Sequence, residues 1–439
     1  MSARHTFREY EPAVVGQSLR DGLDKASASL SEQLRPRLRQ YDRSGDKVTL
    51  QNVVGSFALP NGDVAEVAPK VSVGTDWTTA VIHLLEADTR LAVTGSQRSR
   101  PSARRDDLSA ALAVEFARRL ERALRADGPL QVYEHRHEVS RRPRGRLDVS
   151  SWVRTLGTDP TRFPQSRDDF TVSNDFTRGF SVVAGLLSRS APGGEVASKL
   201  RRLQAAVLPG SALPSFVDPS VGRRTLPSQW ARYRPAWDIA APLLRNRSVV
   251  GDPGHATGLE IAVEPWPLLE TLLERALRRV AEQNDDLRFD PKASYPLLGM
   301  SSGSTTQSVE PDGLLRWASG GVAATFEAKY TSWSAQPKRG HVFQALSTAA
   351  ALHSPIAVLL VPYEQKPVCH LVTGFSQQPH TLVTVGVPLF AYRRGTDDDA
   401  NAQRLIGALR MATGRNPAYS SGIQAPALDE GEPESHFLA

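Results

Sequence analysis

Residues 309–330, VEPDGLLRWASGGVAATFEAKY, constrain the fold more than any other stretch of the chain. Two apolar runs, GLLRW and VAATFEAKY, alternate with the period of a strand on either side of a Ser-Gly-Gly turn, which predicts an antiparallel hairpin. Asp312, Glu327 and Lys329 stand inside it. A charge taken out of water without a partner is strongly unfavourable, so these three either face solvent or hold something. With a two-residue loop at Ser319-Gly320, Asp312 falls opposite Glu327; with the loop at Gly320-Gly321, it falls opposite Lys329. Either register gathers all three on one face of the sheet. A three-residue loop would break the arrangement.

Two carboxylates converging on one point suit a hard divalent cation, and the backbone carbonyl of Ala328 offers a further oxygen. Mg²⁺ fits this donor set, with Mn²⁺ as the alternative. Beside such a metal, the Lys329 ammonium can orient an attacking water and offset charge on a phosphoryl group. That is the chemistry of phosphodiester hydrolysis. The residues by themselves also allow a solvated surface ion-pair cluster.

At 439 residues the chain has room for two or three domains. No run approaches the roughly 20 apolar residues that span a bilayer, and the start, MSARHTFREYEPAVVG, lacks the apolar core of a secretion signal. A single cysteine, Cys369, excludes an internal disulfide framework. A cytoplasmic protein with no membrane association is expected. The net charge of +6 favours a polyanionic partner. The positive charge is concentrated in RSRPSARR (98–105) and HRHEVSRRPRGR (135–146), where a solvated face, backbone contact with DNA and a docking surface are all open. Only 8 of the 53 basic residues are Lys, which singles out Lys70 and Lys329.

Residues 48–73 read as short strands broken at Pro-Asn-Gly-Asp. WTTAVIHLLEA reads as a helix, and 106–126 as an amphipathic helix with Leu108, Leu112, Phe116, Leu120 and Leu124 on one side and Arg118, Arg122 and Arg125 on the other. One or two strands follow in 130–153, then a loop over about 157–169, helices over 174–208 and a Pro-rich connector over 209–228. VVGDPGHATG suggests a boundary near 250. Beyond it come a strong helix, the hairpin, a helix around Gln344 and three strand-like runs. The order predicts an α/β (α+β) protein in four parts: a β-rich and helical region over 1–165, a helical middle with the connector over 166–250, a mixed-sheet domain over 251–415 and a disordered acidic tail over 416–439.

The pair Pro311-Asp312 with Glu327-Ala328-Lys329 resembles the signature of the PD-(D/E)xK nuclease superfamily. That superfamily commonly has a Glu on the helix before the hairpin, matched by Glu274 in LETLLERAL, and a Gln on the helix after it, matched by Gln344 in HVFQALSTAAA. The whole chain resembles McrC, the nuclease subunit of McrBC-like (5-methylcytosine-directed) restriction systems. The correspondence runs through VGSFALPNGDVAEVAPKV, RGRLDVS, NDFTRGFSVVAGLL, LETLLERAL, VEPDGLL, TFEAKY and IAVLLVPY, across most of residues 50–363. It departs at Thr348, where the family often has Tyr, and in the 209–255 connector and the tail.

The resemblance implies a restriction-endonuclease-like C-terminal domain and Mg²⁺-dependent cleavage of double-stranded DNA, modified or not. Asp312, Glu327 and the Ala328 carbonyl would be metal ligands, Lys329 the water-orienting group, and Glu274 and Gln344 supporting members. It also implies a McrB-like AAA+ GTPase or ATPase hexamer as partner, docked by the N-terminal half. The chain has no GxxxxGK[ST] loop of its own. Two other functions stay open: a non-catalytic activator of such a ring, and a stand-alone DNA repair nuclease. His135 and His137 share a strand face without an evident third metal ligand, Cys369 reads as a buried thiol, and Trp317 and Trp333 flank the motif.

Overall fold

The computed structural model describes residues 3–34, 41–71, 77–96, 107–246, 258–299, 305–332, 336–374 and 381–414. The basic run 98–105, Trp333, most of VVGDPGHATG and the tail over 416–439 lie outside them. The chain forms two compact units, residues 1–268 and 269–439.

The first unit begins with β1 (Arg4–Arg8), β2 (Ala13–Val14), α1 (Gln17–Gln33), β3 (Tyr41–Ser44), β4 (Lys47–Leu50), β5 (Val54–Ala58), β6 (Val64–Ala68), α2 (Trp77–Leu84) and β7 (Leu91–Ser96). The Asn61-Gly62 turn joins β5 to β6, with Gly62 at φ 86°, the left-handed conformation that such turns require. Next come α3 (Leu108–Asp127), β8 (Val132–Ser140), β9 (Arg146–Leu147), α4 (Val149–Thr155), β10 (Phe163–Thr171), α5 (Asp175–Leu187), α6 (Gly194–Ala206), α7 (Arg234–Arg245) and β11 (Gly258–Val263). The main sheet has the order β1-β6-β5-β11-β7, with only the β1–β6 pair parallel. Its core gathers Phe7, Leu23, Leu30, Val48 and Phe57. Because β11 is a strand of this sheet, the division between units falls at 268/269 rather than near 250.

Helix α3 buries Leu108, Leu112, Phe116 and Leu120 and exposes Arg118, Arg122 and Arg125. Asp107 caps it by accepting from the Ser109 and Ala110 N–H groups. Two stretches differ from expectation. The loop expected over 157–169 contains most of β10, whose strand character is masked because one face carries charges that pair with its neighbours, Arg167 with Glu138 and Asp169. The Pro-rich connector runs into helix α7, which tolerates a proline in its first turn and carries Pro242 inside it.

The second unit takes up α8 (Pro265–Glu282) from Leu269 onward, then β12 (Leu287–Asp290), β13 (Tyr295–Gly299), β14 (Thr305–Val309), β15 (Gly313–Trp317), β16 (Val322–Ala328), α9 (Arg339–Ala351), β17 (Ile356–Val361), β18 (Val368–Leu371), β19 (Thr381–Gly386) and α10 (Asp398–Gly414). Its six-stranded sheet has the order β12-β15-β16-β17-β19-β18. The β16–β17 and β17–β19 pairs are parallel and the others antiparallel, so the sheet is mixed, as the element order predicts. Strands β17 and β19 are buried along their whole length, as strands inside a covered sheet must be. Gly313 lets α8 approach closely, since a Cβ there would meet Leu277 Cδ1 at 2.3 Å.

Candidate nuclease site

The β15–β16 hairpin sets the site. Trp317 N–H donates to Gly321 O at 3.2 Å, leaving a three-residue loop, Ala318–Gly320, where two residues were expected. By itself that loop would shift the register. A one-residue bulge at Ala323 restores it, so that Leu315 faces Ala324 and Gly313 faces Phe326. One residue further, Asp312 and Glu327 come opposite each other, with the Asp312 N–H donating to Phe326 O at 3.0 Å.

Asp312 Oδ2 accepts from the Ala328 N–H at 2.9 Å, and its Oδ1 lies 3.0 Å from Lys292 Nζ. Glu327 is 1% exposed. Its Oε2 accepts from Lys329 Nζ and from Gln344 Nε2, both at 2.9 Å, and its Oε1 from the Thr348 hydroxyl at 3.1 Å. Gln344 and Thr348 sit one turn apart on α9 and so present one face to the carboxylate. The Lys329 N–H donates to Leu360 O on β17, which fixes the backbone just beyond β16.

The structure thus brings Asp312, Glu327, Lys329 and Gln344 together, and it does not bring Glu274. That carboxylate is ion-paired with Arg278 along α8. The α8 carboxylate at the site is Glu270, one turn earlier, 3.3 Å from Lys292 Nζ and in contact with Asp312. Burial raises the Glu270 pKa to about 7; the Asp312 charge adds to this and Lys292 opposes it. Burial also raises Glu327, against the pull of Lys329. Lys292 is itself raised: burial lowers it, but Asp312 and Glu270 outweigh that.

Two residues of the cluster were missed in the sequence, Glu270 and Lys292, and Thr348, marked there only as a departure from the family's Tyr, holds the Glu327 carboxylate. Glu270 and Glu274 share a helix face, so spacing alone could not choose between them. Lys292 lies in an irregular connection and carries no periodic signal.

A hard cation fits the donor chemistry of this cluster. Three carboxyl groups crowd together, two with raised pKa values, and a flexible ammonium, Lys292, with its side chain 44% exposed, stands between two of them as a cation would. Asp312, Glu327 and the Ala328 carbonyl would hold a magnesium ion together with water. Among the described residues, no group of three or more His, Cys, Asp or Glu side chains forms a ready-made metal cage.

His135 pairs with Asp168 at 2.8 Å and its ring meets that of His137 edge-on. Lys70 Nζ sits 3.9 Å above the Tyr10 ring. Cys369, the chain's single cysteine, is partly buried. No described helix is long and apolar enough to cross a membrane.

Fold and cluster together define an α/β protein whose second unit presents carboxylates and a lysine from adjacent strands at one end of a mixed sheet. Residues 48–361 match the family described as McrBC 5-methylcytosine restriction system component. A solved structure described as a refined half-complex from a tetradecameric assembly of Thermococcus gammatolerans McrB AAA+ hexamers with bound McrC contains a similar chain. The TM-score is 0.59 at 16% identity, covering 92% of this chain and 100% of that one. A chain in a cryo-EM structure of the Thermococcus gammatolerans McrBC complex is 19% identical over 63% of this chain and 88% of that one, with a TM-score of 0.41. No curated protein matches. The chain belongs to the McrBC 5-methylcytosine restriction system component family.

Proposed function

We propose that this chain is the DNA-cleaving subunit of a McrBC-like restriction system, a Mg²⁺-dependent endonuclease acting with a hexameric AAA+ NTPase of the McrB kind. The observation that carries this is the Asp312–Glu327–Lys329 cluster, with Lys329 Nζ 2.9 Å from a buried Glu327 carboxylate. Support for the partner comes from the family and from the similar fold found in an assembly of McrB hexamers with bound McrC.

Bound Mg²⁺ would supply a Lewis acid for the phosphoryl oxygen and a water of lowered pKa. The protein's own groups do the rest. Asp312 and Glu327 would hold the cation, and Gln344 and Thr348 hold the Glu327 carboxylate so that it does not have to reorganise during the reaction. The Lys329 ammonium, tethered by Glu327, orients the attacking water and donates to the phosphoryl oxygen that gains charge. Water oxygen bonds to phosphorus and gives up a proton to solvent, the bond to the leaving sugar oxygen breaks, and that oxygen takes up a proton from solvent. Glu270 and Lys292 balance charge beside Asp312.

The test is a pull-down of full-length wild type and Asp312→Ala from the native host, followed by cleavage assays on methylated and unmethylated duplex with Mg²⁺ and GTP or ATP. Both proteins should recover the same AAA+ partner, and the variant should cut about 10²–10³-fold more slowly. Lys329→Ala should behave the same way. Wild-type cleavage by either variant would remove the assignment, and partner recovery without cleavage by wild type would favour the activator function.

A further inference from the structure

A second feature adjoins the cluster within the same unit. A cavity of about 230 Å³ opens beside Lys329, between the start of α9 and the sheet. Lys338 and His341 line its open side and Thr384 of β19 its buried side.

Two independent observations mark it as a place for an anion. The first is the start of α9, where backbone N–H groups and the helix dipole favour negative charge. The first turn of this helix has no acidic residue and no side-chain cap; Lys338 takes the N-cap position and Arg339 and His341 follow. Cations gathered at the positive end of a helix repel it, and a bound anion relieves that repulsion. In line with this, the His341 pKa is lowered, first by burial and then by the charges of Lys329 and Lys338.

The second is Thr384. It is 2% exposed, and its hydroxyl has no hydrogen-bond partner among the described residues. A buried hydroxyl is rarely left without a partner, so one that lines a cavity points to a ligand that accepts its proton.

We propose that this cavity is a subsite for a backbone phosphate of the cleaved strand, next to the scissile one, bound by Lys338, His341 and the Thr384 hydroxyl. The assignment to a cleaved strand rests on the nuclease function proposed above; the affinity for phosphate does not. The subsite would fix the strand's register so that the neighbouring phosphodiester meets Lys329 and the carboxylates. Asp312 and Glu327 bind metal; Lys338 and Thr384 bind strand.

The experiment uses the full chain in metal-free buffer with inorganic phosphate as the probe, and then duplex DNA. Phosphate should raise the melting temperature of wild type and of Asp312→Ala alike, and the shift should vanish in Lys338→Ala and in Thr384→Val. The valine keeps the shape of the threonine, which guards against simple misfolding. In the Asp312→Ala background, adding Lys338→Ala should weaken duplex binding about tenfold and reduce the slope of log affinity against log salt by about one. No phosphate-dependent shift in wild type, or equal shifts in all four proteins, would overturn the subsite. If the shift depends on Lys338 and Thr384 but wild type cuts no DNA with Mg²⁺ and its partner, the phosphate site stands and its assignment to a cleaved strand falls.

Discussion

Glu270 carries a titration that the metal-free protein should report. With its folded pKa raised to about 7 by burial and by Asp312, the folded chain holds a proton that the unfolded chain releases nearer 4.5. The folded state therefore binds more protons between those values, and stability falls as pH rises from about 4.5 to about 7. Denaturant midpoints across that window should show the slope in wild type and a shallower one in Glu270→Gln; equal slopes would refute it. Thr348→Val leaves the buried Glu327 Oε1 without its donor and should cost about 1–3 kcal/mol in urea unfolding of the full chain. At this scale the sequence showed what strand alternation can show. Asp312, Glu327 and Lys329 stood out by their Pro-Asp and Glu-Ala-Lys pattern, whereas the two-residue loop invoked to bring them onto one face is in fact a three-residue loop with a compensating bulge. Glu270 was hidden by a choice between two turns of one helix face, and that choice is made by how α8 packs over Gly313.

Elements differ in how openly they announce themselves. Asn174 begins α5 in NDFTRG and forms a full capping box with Thr177, while its side-chain amide also donates to Leu130, Thr171 and Val172 carbonyls. Replacing it with Ala should cost about 1–2 kcal/mol of stability, read from the denaturation midpoint, because a buried helix start loses its acceptor; an unchanged midpoint would show that the cap is redundant. Amphipathic α3 was readable from its stripe, and the strands around the Asn61-Gly62 turn from the turn itself. Strand β10 was not, because both it and β8 carry alternating charges whose pairing is visible only once the strands meet. The bulge at Ala323 was equally invisible: loop length and bulge are each ambiguous in sequence, and only their sum is constrained by the need to keep Leu315, Gly313 and their partners in register.

For the whole molecule, the mixed α/β architecture and the family followed from the order of weak patterns rather than from any one of them. The absence of a phosphate-binding loop from the sequence has a direct consequence. Purified full-length chain should release no phosphate from GTP or ATP above background, and release should appear only when the ring partner is added; hydrolysis by the chain alone would sink the division of labour. The long reach of the contacts around Glu327 bears on something else, the order in which a ribosome makes this protein. Glu327 leaves the ribosome well before Gln344, Thr348 and Leu360, which hold it and its neighbour Lys329 in place. A nascent or truncated chain ending before Leu360 would have the motif without the centre. On the proposed nuclease function, an unfinished copy would lack an assembled cutting centre.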